Sequence, residues 1–414
     1  MNPRRVYGHG GGRYHGFALA LVVVVTLLLS LVGMAMLRLA VDSRIRVQRY
    51  IQGLKARNAA DAGLAVALYQ MNRKLETEET WDNSLLPMGQ DLLLPGMTST
   101  FSYEVTGSPA VGFQLVSLGV QANAQRTVYA TITLHNMFGY AVATEGSITL
   151  WPNTTVDGYN SVTGESGLAA DLGTNSTAFE SVVIESGATL VGDIAVGLEG
   201  DPTTAVRNDG TVTGDLYTMS TEIPFPPISP PELGTASKDL VVKGDTLTLT
   251  PADSGKYTSL AVLSAGRPGL LEITDGHVIL HVTEDILLGQ DCEIRILNGA
   301  SLELYLQGDL EAKNNSGFTN ETKNPASFVL YGIGSDAQQI DLKAKGEFYG
   351  AAYAPNAALT VYAKGDIYGA FAAGSFGVKS KSDIHYDHAL GTYPKIDDQG
   401  VWFELDWWGE TKIY

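Results

Sequence analysis

One cysteine, Cys292, in 414 residues leaves no partner for an internal disulfide and no thiol set for a structural zinc. Charge is scarce too. Charged residues make up 17% of the chain against 44% hydrophobic ones, which excludes a disordered acidic tail and a Glu/Lys coiled-coil rod. Proline is missing from residues 6–86, so nothing there interrupts a helix. Arginine nearly vanishes later: only Arg207, Arg267 and Arg295 follow residue 127, a poor supply for gripping acidic sugars. The charge that is present is divided unevenly. Residues 1–126 carry 12 Lys/Arg and 8 Asp/Glu, whereas 127–414 carry 15 and 37. The net −18 therefore sits on the C-terminal body, which repels phosphate backbones and argues against a nucleic-acid partner. Glycine is plentiful, at 46 residues without a collagen period, and with low charge it suits an all-β solenoid with many turns.

Residues 17–37 carry no charge, and at 1.5 Å per residue they reach roughly 31 Å, enough to cross a bilayer core. Arg4, Arg5 and Arg13 precede them, followed by Gly16. A removable signal peptide would have a shorter apolar core and a small-x-small cleavage site. A plain signal anchor is the second reading. A basic leader that ends at Gly16 and is cleaved before Phe17 is the third. Beyond the span, Val41, Ile45, Gln48, Ile51 and Leu54 recur at three- and four-residue steps among Arg44, Arg46, Arg49 and Arg57. The pattern predicts one helix over 17–75, with bends expected near Gly53 or Gly63.

The basic head, "GFALALVVVVTLLLSLVGMAMLRLA" from Gly16, and "AADAGLAVAL" from Ala59 together resemble the PilX-type N-terminal region of type IV pilin-like proteins. The resemblance covers about residues 12–75. It implies a prepilin-type leader, residues 1–16, cut between Gly16 and Phe17 by a prepilin peptidase. It also implies lateral helix packing through Leu21 and the distal motif Ala60, Asp61, Ala62, Gly63 and Leu64. Asp61 stands where the motif has Glu. Leu21 stands where major pilins carry the glutamate that neutralises a neighbour's terminal amine, which points to a minor or tip-located subunit. Arg38, Arg44, Arg46, Arg49 and Lys55 outnumber the basic residues before the span, and a plain count would leave the body in the cytoplasm. The resemblance instead places it outside the cytoplasmic (inner) membrane.

Residues 76–95 are polar and turn-rich. From Thr98, "STFSYEV", "GFQLVSLGV" and "RTVYATITL" alternate with period two, which predicts a small antiparallel sheet within 76–137 that packs on the helix. Short Gly-bounded strands follow in a first solenoid block, 138–222. The Pro-rich segment 223–239 holds five prolines between Ile223 and Pro231 and reads as a linker or strap. A second block, 240–391, repeats clearly: "AKGEFYG" at 344 returns as "AKGDIYG" at 363, and "KSDIHYD" follows at 381. A period near 20 with alternating apolar residues matches one coil of a β-helix, with Phe348, Ile367 and Ile384 in one interior row and Ala351, Ala352, Ala370 and Ala372 in its tight interior. This block resembles the β-helical domain that follows PilX-like N-termini, in "GAAYAPNA" and "HYDHAL". The first block is loosely similar to bactofilin-type repeats. Residues 392–414, with "VWFELDWWGE", are expected to cap the solenoid's open end.

Glu347, Asp366 and Asp383 sit at or near one repeat position, so they would stack on neighbouring coils at a spacing that glycoside hydrolysis could use. Each follows Gly or Ser, so a solvated turn group explains them as well. His385 and His388 would point to opposite faces of a strand, and His277 and His281 lie two steps apart, too far to share a metal. No phosphate loop or nucleophile elbow is present.

The expected fold is therefore mainly β with a long N-terminal α-helix: a pilin-like helix and small antiparallel sheet, then a right-handed β-helix. The expected role is structural, as a minor pilin or pseudopilin of a type IV pilus or type II secretion-like apparatus that displays the β-helix for adhesion or docking. No enzyme activity, cofactor or metal is expected. The implied partners are other pilin subunits, the prepilin peptidase, membrane lipid and surface polysaccharide. The alternative is a membrane-anchored β-helix that binds or cleaves carbohydrate.

Overall fold

The computed structural model describes residues 15–77, 82–108, 112–235, 238–335, 337–392 and 401–410. The expected leader therefore lies outside the described residues, except for its last two.

Helix α1 runs unbroken from His15–Thr77, 63 residues, through both Gly53 and Gly63. At 1.5 Å per residue it is about 95 Å long. Its two halves have opposite surroundings. Residues 19–50 are exposed, including Leu27, Leu29, Leu37 and Leu39 at 59 to 70%. From Gly53 onward one stripe is buried: Gly53, Ala56, Ala60, Gly63, Ala67 and Met71, at the three- and four-residue spacing of a helix face.

That stripe lies on an antiparallel sheet of β1 (Met88–Leu93), β2 (Thr100–Ser108), β3 (Gly112–Gln121) and β4 (Ala124–Asn136). Alternation decides which side chains face the helix: Phe101, Tyr103, Phe113, Leu115, Val128 and Ile132 are buried. The fifth strand, Val401–Gly409, corrects an expectation. It does not cap the solenoid but pairs antiparallel with β4, from Val401 opposite Asn136 to Gly409 opposite Tyr129. The strand is where its alternation puts it, but its partner is the small sheet. Phe403 enters the helix–sheet core edge-on to Phe113, at 5.2 Å between centroids. Asn72 on α1 fixes the register: its Nδ2 donates to the Phe403 carbonyl at 3.1 Å, and its Oδ1 accepts the Phe403 N–H at 2.6 Å.

Between β4 and that fifth strand the described residues build a second sheet of 27 strands, parallel except where Thr155–Tyr159 meets Ser166–Leu168, an arrangement consistent with a solenoid. In 240–306 each strand pairs with the third strand after it: Leu240–Lys243 with Leu260–Leu263, then Ile286–Leu288, then Leu310–Ala312. Three such rows close tiers around an interior of Leu, Ile, Val and Phe. Phe348, Ile367 and Ile384 are in register in one row, each at most 2% exposed, and Ala351, Ala352, Ala370 and Ala372 are fully buried.

The two sequence blocks form one stack, in permuted order. The first block sits on the last tier of the second: Phe371 pairs with Val142, Phe376 with Ile148 and Ile384 with Val156. The chain thus leaves β4, climbs to strand Leu216–Thr218, returns along the outside, and restacks from Leu240 up to the join. The Pro-rich segment is the return strap. Ile223, Phe225 and Ile228 pack against the stack core, Tyr353 donates its hydroxyl proton to the Pro226 carbonyl at 2.7 Å, and Asn175 bonds both the N–H and C=O of Ile223 at 2.8 Å. Proline suits this path because the strap needs no ladder donors.

A row of aspartates ties tier to tier. Asp285 accepts the N–H of Asp309 at 2.9 Å, and Asp309 that of Gln339 at 2.8 Å. Asp366 accepts from Asp383 at 3.4 Å, and Asp383 from Thr155 at 2.7 Å. Asp171 accepts from Asp193 at 2.8 Å, and Asp193 from Asp215 at 2.7 Å. Each carboxylate satisfies an N–H on the next tier up, and Asp383 does so across the join. Asp383→Ala should therefore cost about 1–3 kcal/mol by stranding the Thr155 N–H. Asp383→Asn, which keeps an acceptor oxygen, should cost less than half of that. Faster amide hydrogen exchange confined to 142–159 in the alanine variant is the expected readout. Equal protection in both variants would show that the carboxylate does not hold the join.

Candidate functional site

The anchor and its seam come first. Helix α1 is long and apolar enough to cross a membrane, through its uncharged segment 17–37 and not through the half docked on the sheet. Leu21 is 56% exposed on it. Gly16 and Phe17 belong to the helix's first turn by backbone, so the expected cleavage falls at its very start.

The distal motif is placed differently from the lateral packing its resemblance implied. Ala60, Gly63 and Leu64 are buried against the chain's own sheet, and Ala62 is half-buried beside them. The reason is close approach. A Cβ on Gly63 would meet the Ser117 hydroxyl oxygen at 2.1 Å. On the facing strand, a Cβ on Gly119 would meet the Ala56 carbonyl oxygen at 1.9 Å and the Ala60 nitrogen at 2.5 Å. Helix backbone and strand backbone touch here, which only small residues on both sides allow. Gly119 is absent from the motif residues considered above, although an isolated glycine inside the alternating run "QLVSLGV" is the signal for such an approach.

Asp61 points away from this seam. Its Oδ2 lies 3.9 Å from Arg57 Nε, and its Oδ1 is buried without a hydrogen-bond partner. Burial raises its carboxyl above the usual range, with Arg57 opposing and Glu410 adding to the rise. Arg57 also reaches Glu410 at 3.0 Å and lies 5.5 Å over the Trp408 ring, so the same arginine ties α1 to the C-terminal strand.

The acids considered for sugar chemistry occupy a different face. Glu347 accepts the Tyr349 hydroxyl proton at 2.9 Å and faces Lys323 at 3.5 Å. Asp366 and Asp383 belong to the tier-joining row. Beside them Tyr349 and Tyr368 stack at 4.5 Å with 8° between planes, His385 continues the ladder at 4.7 Å, and Tyr159 meets Tyr368 edge-on at 5.6 Å. The ring faces cover one another, so a sugar would find only edges there. His385 bonds Asp157 across the join, and His388 bonds the Ala169 carbonyl. The two histidines are committed to separate partners. Among the described residues no cluster of three His, Cys, Asp or Glu could hold a metal ion.

Glu293 is a buried carboxylate of the stack with several cationic and hydroxyl partners. Burial opposes its ionisation, but hydrogen bonds from Arg295, Thr319 and Lys345 outweigh that and hold it below the usual range. Arg295 in turn faces Glu272, Glu293 and Glu321 on three tiers.

A family model described as a domain of unknown function (DUF7305) matches residues 232–393. This is under half of the chain, and it runs from the end of the strap to the short helix His388–Thr392. No curated protein matches. Among solved structures, the crystal structure of the competence-associated pilin ComZ from Thermus thermophilus is similar at 14% identity, over 86% of this chain and 97% of that one, with a TM-score of 0.25. At that score the likeness decides neither fold nor function.

Proposed function

We propose that this chain is a minor pilin or pseudopilin, a structural subunit of a type IV pilus or type II secretion-like apparatus, that displays its parallel stack as a right-handed β-helix outside the inner membrane. The observation that carries the reading is the division of α1. One unbroken helix is bare from residue 19 to 50, uncharged as far as Leu37, and docked on its own antiparallel sheet from Gly53 onward. A soluble domain gains nothing from a bare apolar segment, whereas bilayer lipid, and later the helices of neighbouring subunits, would cover it. The stack enters as an insertion between two adjacent strands of the sheet, β4 and Val401–Gly409. It therefore travels with the subunit without disturbing the helix.

The reading includes processing by a prepilin peptidase between Gly16 and Phe17. Leu21 offers no carboxylate to a neighbour's terminal amine, and an uncompensated charge among lipid-facing helices is costly. The subunit is thus expected at low stoichiometry and not as a homopolymer. Intact mass of the membrane-extracted chain tests both the anchor and its class. A species beginning at Phe17, lacking Arg4, Arg5 and Arg13, is expected. A retained leader would leave only a plain anchor. Long filaments formed by this chain alone would contradict the minor-subunit role.

A further inference from the structure

Arg38, Arg44, Arg46 and Arg49 take no part in the fold. All four are exposed on α1, and Asp42 is the one acid between them. None has an ion-pair partner among the described residues, whereas Arg57, two turns further on, holds Asp61 and Glu410. A run of exposed charge on a helix is ordinarily a solvated face. The position of this one sets it apart.

The run starts at the residue after the uncharged segment 17–37. The polar layer of a leaflet adds about 5–8 Å to the hydrocarbon core. With Leu37 at the edge of the core, Arg38 lies inside that layer. Along the axis Arg44 and Arg46 are about 11 and 14 Å past Leu37, and Arg49 about 18 Å. Long basic side chains bend back towards phosphate, and the surface potential reaches roughly 8 Å beyond the layer at physiological salt. The docked stripe begins only at Gly53, about 24 Å past Leu37. Arg46, Arg49 and Gly53 follow one another at steps of three and four residues, and Arg38 stands three turns below Arg49, so these arginines share the side of α1 that the sheet occupies further up. Arg126 of β4 adds a guanidinium there: a Cβ on Gly53 would lie 3.4 Å from its Nη2. The space between the sheet's rim and the bilayer is thus basic.

Charge and chemistry select the occupant. Residues 127–414 carry 15 Lys/Arg against 37 Asp/Glu, so an anionic surface repels the body, and the arginines of α1 supply the attraction. The guanidinium fork pairs with two phosphate oxygens at once. A neighbour's acidic stack is the competing occupant. It leaves the small sheet through the strand whose Phe403 meets Asn72, about 50 Å along α1 from Leu37, far from the arginines at the membrane end. We propose that Arg38, Arg44, Arg46 and Arg49 form a collar that binds anionic phospholipid headgroups in the leaflet from which α1 emerges, and so holds the acidic body above a surface that repels it. The proposal rests on the reading of α1 as a membrane anchor.

The test is the lipid preference of the full chain, reconstituted in phosphatidylcholine vesicles with a trace of spin-labelled phosphatidylglycerol or spin-labelled phosphatidylcholine. Electron spin resonance gives the share of each label slowed at the protein surface, and the ratio of the two is the preference. Arg38→Gln, Arg44→Gln, Arg46→Gln and Arg49→Gln together should lower the preference for phosphatidylglycerol at least threefold. Glutamine matches arginine as a helix former, and all four sites are exposed, so the fold is kept. Lysine at the same four positions should retain most of the preference, and 1 M salt should bring the wild type down to the glutamine variant. Arg4, Arg5 and Arg13 precede the span, are common to all these chains and cancel in the comparison. An unchanged ratio in the inserted glutamine variant would overturn the proposal. So would salt-sensitive cross-linking between wild-type chains that the glutamine variant loses with no change in lipid preference, which would assign the collar to the acidic stack of a second copy. A chain that fails to float with the vesicles would refute the anchor itself and the collar with it, whereas an inserted chain without preference refutes the collar alone.

Discussion

Ile367→Asp should unfold the stack around the join, at a cost upward of about 5 kcal/mol. Ile367 is fully buried between Phe348 on one tier and Ile384 on the next. Deleting a buried isoleucine costs about 2–5 kcal/mol, and a carboxylate left in its place without a partner adds several more. That sum approaches the whole stability of an ordinary domain, about 5–15 kcal/mol. The damage should spread in both directions, because stacked tiers are stabilised by their neighbours. Ile384 pairs in turn with Val156, so the first block loses its platform as well. Limited proteolysis of the solubilised full chain should show cleavage within both 142–159 and 348–387. Asp366→Asn next door should change the stability measured by urea unfolding by less than about 0.5 kcal/mol, since an amide oxygen can still accept the Asp383 N–H. Wild-type protease resistance in Ile367→Asp would refute the buried row.

Gly119→Ala should loosen the helix from its sheet by about 3 kcal/mol. The added methyl would fall 1.9 Å from a carbonyl oxygen and 2.5 Å from a nitrogen, both on the α1 backbone. A backbone cannot rotate away as a side chain can, so the whole helix must shift, and overpacking of this kind costs about 1–3 kcal/mol or more. Gly63→Ala is the informative contrast. Its methyl would meet only the Ser117 hydroxyl oxygen at 2.1 Å, with Phe101 and the Ser117 Cβ at 3.2 Å. Pairing it with Ser117→Gly removes the near atom, so the double variant should recover most of the loss. No comparable side-chain change should rescue Gly119→Ala. Thermal unfolding of the solubilised chain measures both. Equal, small effects at the two glycines would mean that the seam is looser than these distances state.

Much of this architecture is legible in the sequence because its signals are local. Twenty-one uncharged residues and no proline between residues 6 and 86 specify a long helix from composition alone. Period-two alternation marks β2, β3 and β4, and the 19-residue return of "AKG-x-x-YG" marks an interior row that the structure buries. The repeat also marks the turn aspartates, although only the fold shows what they do. Each serves the backbone of the following tier rather than a substrate.

What escapes the sequence is partnership. Any apolar tier edge can receive any other, so nothing local states that the first block stacks on the end of the second, or that the prolines form a strap back along the stack. The alternation in "VWFELDWW" fixes which side chains turn inward, but not onto which sheet. That choice rests on Asn72, 331 residues distant, and on the open edge of β4. A hollow on the flank of the stack depends on the same long-range folding, since residues 136–138, Ser161 and Val162 line it together with Gly276, Ser301 and Ser327 of the second block. The sequence by itself determined the elements and their buried faces, because burial periodicity is written residue by residue. The tertiary structure alone decided their order in space, because that order is set by which unsatisfied edges and backbone groups find each other.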